Sequence, residues 1–226
     1  MTAAGFALND EGATRWTFPE LCFWLNEGIR ALVLARPFCA SKTITLTMQA
    51  GTYQEVPIEY LTLLRLTRNI SDVGPPRVGG RAIRITTHDA LDASCPEWHN
   101  PKIIKYSPQV RQFIFDDDDP RSFYVYPGND GTGVVEGIVS ALPCMVVATG
   151  DIDTLASYAV DVDVKDIYQP PLLDYVLYRA MSKDDTDGNP AGAASHLQAF
   201  IAAVGADVQV AGADSPNAQP NEHPKV

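Results

Sequence analysis

Helical periodicity is confined to the two ends of this chain, residues 18–36 and 170–205, and the long middle between them alternates as strands and breaks at turns. Such a layout predicts an α+β protein in which a helical bundle, built from the N-terminal helix and a C-terminal hairpin, carries an inserted β module. In the closing segment Leu173, Val176, Leu177 and Ala180 fall on one helix face, and Ala193, Leu197, Phe200, Ile201 and Val204 line up on a second helix. The polar residues 183–189 between them are followed by Pro190, whose missing N–H costs nothing in a first helical turn. The spacing therefore predicts a helical hairpin.

At the other end, Thr17 stands three residues before Glu20, the pattern of a capping box, with Pro19 tolerated in the first turn. Across 18–36 the polar residues Glu20, Asn26, Glu27 and Arg30 gather on one side. Leu21, Phe23, Trp24, Leu25, Ile29, Leu32 and Val33 cover the rest, a stripe wide enough to be buried on more than one side. Leu21, Leu25 and Leu32 are thus open to two uses, monomer core or subunit interface. Pro37 stops the helix. The expected organisation is a flexible arm over 1–15, a helical platform over 16–37 and 166–205, an inserted β module over 38–165, and a flexible tail over 206–226.

Within the middle, residues 43–48 alternate polar and apolar, and 65–70, 81–87, 103–106, 112–116, 122–126 and 134–142 read as further strands. Pro57 interrupts 56–64, which is open between strand and a short helical stretch. Asn129, Asp130 and Gly131 mark a turn. Short strands at this spacing predict an antiparallel β-sandwich or barrel-like module.

A formal net charge of −11 argues against a surface devoted to neutralising phosphates, while leaving room for a local basic patch around Arg77, Arg81 and Arg84. No apolar run approaches the roughly 18 residues of a membrane span, and residues 1–15 lack the layout of a signal peptide. The expectation is a protein made and kept in the cytoplasm, with no membrane partner. Cys22, Cys39, Cys95 and Cys144 are widely spaced and read as free buried thiols rather than a disulfide framework.

Each candidate chemistry has a plainer structural reading. The acidic run 116–119 sits before Pro120 as a solvated turn, because adjacent residues of an extended chain point to opposite faces and do not converge on one ion. Residues 184–189 have the look of a calcium loop, but alignment on Gly188 puts Lys183 at the first ligand position and no glutamate at the last. Asp151, Asp153, Asp161, Asp163 and Asp166 read as exposed loop or strand. Cys95 and His99 are close, yet no second ligand pair follows at zinc-site spacing, and Trp98 between them reads as a packing anchor. His196 reads as a helix-surface or interface histidine. There is no G-x-S-x-G elbow, and Gly79-Gly80 lacks the partners of a phosphate loop. The sequence therefore predicts no enzyme, with no catalytic residue, no cofactor and no metal.

Four segments taken in order, RWTFPELCFWLNEGIRALVLARP, GRAIRITTHDALDASCPEWHN, DPRSFYVYPGN and LLDYVLYRAMSKDDTDGNPAGAASHLQAFIAAVG, resemble the head-to-tail adaptor, or connector, proteins of tailed bacteriophages. The features that carry the likeness are Asn26-Glu27 in a long helix ending in Arg36-Pro37, a Gly-Arg strand leading to Leu91 and Trp98, the aromatic strand 123–127, and the terminal hairpin. The resemblance implies a structural virion protein, similar to the tail-tube adaptor of short-tailed phages. Its partners would be the portal protein, a tail tube or nozzle protein, and further copies of itself in a ring of usually twelve. Through that ring DNA passes without specific binding. The competing reading is a tail-associated β-sandwich binding module for a receptor or glycan, with Trp98, Tyr124 and Tyr126 on an exposed face.

Overall fold

A computed structural model describes residues 1–116, 118–183 and 189–205 as an α+β protein. Its helices are α1 (Thr2–Leu8), α2 (Phe18–Ala35), α3 (His88–Ser94), α4 (Gln169–Met181) and α5 (Pro190–Gly205). Its strands are β1 (Ser41–Thr47), β2 (Ala50–Glu55), β3 (Tyr60–Asp72), β4 (Val78–Ala82), β5 (Arg84–Ile85), β6 (Gln112–Phe115), β7 (Ser122–Asp130) and β8 (Val134–Ala141). The chain divides into a helical unit, Met1–Ala40 with residues 143–205, and a β unit, Ser41–Leu142.

In the helical unit, α2 begins where its capping box directs. Thr17 Oγ1 accepts the Glu20 N–H at 3.4 Å, and the Glu20 carboxylate accepts the Thr17 N–H at 3.2 Å. Leu21, Trp24, Ile29, Leu32 and Val33 are buried along α2. Gly28 lets α4 come close, since a Cβ there would lie 2.9 Å from Tyr175 Cδ1. α4 also packs on α5, where the Tyr175 and Phe200 rings are 5.1 Å apart, while its Val176 and Ala180 are buried with Trp16, Leu21 and Trp24.

Two assignments differ from the sequence reading. Residues 2–8 of the expected flexible arm form α1, whose Ala4 is buried against Trp16, Trp24, Val176 and Ala180. The turn after it is held by the Asp10 carboxylate, which accepts the N–H groups of Thr14, Arg15 and Trp16 at 2.8–2.9 Å. Residues 143–165, expected in the β module, lie in the helical unit, where Val146 and Tyr158 pack on Cys22.

The β unit holds two sheets of four strands, ordered β1-β8-β3-β4 and β2-β7-β6-β5. Leu46, Leu63, Leu66, Val135 and Val139 of the first share one core with Phe113, Phe115, Phe123 and Val125 of the second. Among the described residues neither sheet closes on itself, so the barrel-like alternative is set aside. Nor is the unit wholly antiparallel, because β5 runs parallel to β6. The cause is a change of sheet inside the expected strand 81–87. The Ile83 N–H bonds Thr67 of the first sheet, while the next N–H, of Arg84, bonds Arg111 beside the second. Residues 103–106 are not a strand either. The Asn100 carbonyl accepts the N–H groups of Ile103 and Ile104 and its side chain that of Lys102, which winds the chain into turns.

The turn expected around Asn129 falls just after β7. Asn129 Oδ1 accepts the N–H of Gly131 at 2.9 Å and of Gly133 at 3.1 Å, and Gly131 takes a φ of 92°. The expectations for Asp117, for most of the calcium-like run 184–189 and for the tail 206–226 lie outside the described residues.

Candidate functional site

On α2 the side chains sort into two sets. Leu21 and Leu32 are 2% and 0% exposed and so belong to the core of the unit, and Leu25 is half-buried against two clusters. The outward stripe instead carries Phe23, 56% exposed, Arg30, and Leu34, 74% exposed. Phe23 and Leu34 are about three helical turns apart and share a face. The sequence signal was the width of the apolar stripe, which exceeded what one core could cover. Choosing among its members needed the packing of α4 and of 143–165.

Asn26 and Glu27, beside that stripe, fix neighbouring segments. Asn26 Nδ2 donates to the Val146 carbonyl at 2.8 Å, and its Oδ1 accepts the Val146 N–H at 2.9 Å. Glu27 pairs with Arg179 of α4 at 3.3 Å. A cavity of about 780 Å³ in this unit is lined by Met1, Leu25, Val162, Lys165 and Leu173 among others. His196 Nδ1 lies 2.9 Å from Asp174 Oδ1, so this histidine joins α5 to α4.

In the β unit the Cys95 to His99 segment is a packing device. Trp98 is fully buried with Leu91 and Ile114, and its Nε1 donates to Asp92 at 2.8 Å. His99 stacks on Trp98 at 3.5 Å between ring centroids and places Nδ1 2.8 Å from the Thr52 hydroxyl. The Trp98 and Tyr124 rings stand at 84° to each other. A buried indole perpendicular to its neighbour is not the flat exposed platform that glycan stacking needs.

The acidic residues hold backbone turns. Asp116 Oδ1 accepts the Asp118 N–H at 3.0 Å and Asp151 Oδ1 that of Asp153 at 3.1 Å. Asp163 accepts from the Cys144 thiol at 3.5 Å. Among the described residues no three His, Cys, Asp or Glu side chains are grouped to hold a metal ion. All four cysteines are free. Cys22 and Cys39 are buried, burial pushing the Cys39 thiol up to about 11, whereas Cys144 is exposed, against expectation. No described helix is long and apolar enough to cross a membrane.

The expected basic patch is rearranged. Arg77 is paired with Glu136 across the first sheet. Arg81 and Arg84 are joined instead by Arg111, which sequence distance concealed, and the three line an open cavity of about 420 Å³ with Gln112 and Tyr126. Asn69, buried in β3, holds the backbone of Arg81 and of Val110, the residue before Arg111. Its Nδ2 donates to the carbonyls of Arg81 at 2.8 Å and Val110 at 2.7 Å, and its Oδ1 accepts the Val110 N–H at 2.8 Å.

The helical unit thus carries an outward apolar stripe and the β unit a cationic cavity. A family profile described as SU10 adaptor protein matches residues 1–220, nearly the whole chain. The chain belongs to the SU10 adaptor protein family. That family is one of phage head-to-tail adaptors, so the protein is a structural adaptor of the phage virion. No curated protein matches the chain.

Proposed function

We propose that this adaptor forms a ring, of twelve copies as in the proteins it resembles, beneath the portal and continues the DNA channel into a tail tube or nozzle. It is made in the host cytoplasm and resides in the virion neck. The observation that carries this reading is the exposed stripe of Phe23 and Leu34 on a helix whose opposite face is already packed. Two large apolar side chains left in water on one rigid helix favour a second copy as their cover, worth about 1.5–3 kcal/mol for each side chain fully buried. The helical unit then supplies the ring platform. The β unit, with its two sheets facing as a sandwich about their shared core, reaches the next component of the tail. A net charge of −11 lets passing DNA slide without binding. No catalytic role is assigned to any residue. The glycan-binding alternative loses its platform with the burial of Trp98.

Mixing the purified protein with assembled portal rings and viewing the product by electron microscopy tests the proposal. A regular collar of copies on one face of the portal is expected. Free portal rings beside unbound protein at high concentration would refute it.

A further inference from the structure

The β unit carries opposite charges at the two ends of one strand. Arg111 immediately precedes β6, and Asp116 immediately follows it. The four residues of β6 separate them, five steps of extended chain or about 17 Å. Register extends the polarity across the sheet. Gln112 and Tyr126, partners between β6 and β7, lie at the arginine end, and Phe115 and Phe123, also partners, lie at the end where the acidic turn begins.

At the first end Arg81, Arg84 and Arg111 are all exposed, and among the described residues none forms an ion pair. Three guanidiniums in one small concavity repel one another and are held there by backbone, through Asn69 and the Arg84 N–H to Arg111 carbonyl bond of 3.1 Å. Such a concavity is complementary to carboxylates, which guanidinium groups bind in a bidentate manner. At the other end Asp116, Asp118 and Asp119 are exposed, with no cation paired to them among the described residues. The chain thus carries a cationic cavity and its complement on opposite ends of one rigid element.

We infer that the Arg81, Arg84 and Arg111 cavity receives Asp116, Asp118 and Asp119 of a second copy, making a head-to-tail contact between β units around the ring. This rests on the ring reading above. Repetition of one heterologous contact closes a ring when its rotation permits. A second copy is favoured over DNA because the positive charge is three residues in one pocket, not a stripe following a backbone, and the chain as a whole is strongly acidic. With a Debye length of about 8 Å at physiological salt, the attraction acts only near contact and sets register between copies.

The test compares collar formation on assembled portal rings by the wild type, R84E/R111E, and the full swap R81E/R84E/R111E/D116N/D118R/D119R. The proposal expects R84E/R111E to need about tenfold more protein to form the collar. The full swap, which restores opposite charges at every contact, should return to the wild-type concentration. Wild-type assembly should weaken with added salt more steeply than that of R84E/R111E. A collar formed equally well by R84E/R111E would overturn the inference while leaving the ring reading intact. A normal collar that has lost its hold on a DNA fragment would assign the cavity to phosphate and also overturn it. If the wild type forms no collar, the ring reading fails first and the contact with it.

Discussion

Asn26 grips Val146 from both sides of its peptide group, donating to the carbonyl at 2.8 Å and accepting the N–H at 2.9 Å. One side chain on α2 thereby replaces the sheet partner that residue 146 lacks, and keeps the segment after β8 on the helix. Replacing Asn26 with Ala removes both bonds, leaving the Val146 N–H without its partner and the Val146 carbonyl with only the Cys22 thiol at 3.2 Å, a loss of about 2 kcal/mol. Thermal unfolding should show the lowered stability, and amide exchange should quicken first at Val146, ahead of the β strands. Uniform exchange throughout the chain would contradict this local role.

Glu20 serves two partners, the capping box and Lys183, whose ammonium lies 2.8 Å from the carboxylate. The hydrogen bond from Lys183 is the largest cause holding its carboxyl below the usual range; burial opposes it, and the cap bonds from Thr17 and the charge of Lys183 add to the lowering. A carboxyl lowered in the folded state adds stability above its unfolded value of about 4.3. That stability is lost as pH falls through the folded value. Glu20→Gln should therefore melt below the wild type at pH 7, and the difference should close in acid. A gap independent of pH would show that the charge of Glu20 is immaterial.

Asn69 closes three hydrogen bonds in a site where it is 4% exposed. Asn69→Ala strands the Val110 peptide and the Arg81 carbonyl, costing about 3 kcal/mol. The cost should appear in denaturant melts of the β unit. Asn69→Asp keeps the acceptor for Val110 but sets a buried carboxylate oxygen against the Arg81 and Val110 carbonyls, and should destabilise at neutral pH at least as much as Asn69→Ala.

Much of the architecture was legible where a single local rule decides the outcome. Thr17 and Glu20 fixed the start of α2, Pro37 its end, and Pro190 the start of α5. The β7 and β8 strands began at Ser122 and Val134, where alternation predicts them. What escaped depends on contacts between distant residues. α1 is stabilised by Ala4 packing beneath Trp16 and Val176, and its own sequence gives little sign of that. The split of 81–87 depends on whether the amides of Ile83 and Arg84 meet Thr67 or Arg111. The same applies to the candidate surfaces. Phe23 could not be told from Leu21 and Leu32 until the packing face of α2 was known, and Leu34 stood outside the stripe read from the sequence. Arg111 joined Arg81 and Arg84 only through the β5 and β6 pairing.

The most direct test of the adaptor account is the mass of the complex formed on assembled portal rings by the wild type and by Phe23→Ser/Leu34→Ser. Both side chains point outward, so the double variant should melt within about 0.5 kcal/mol of the wild type. The account predicts one discrete mass, a whole number of copies on each portal, for the wild type and loss of that species for the variant. An unchanged complex with the variant, or no discrete complex with the wild type, would contradict it.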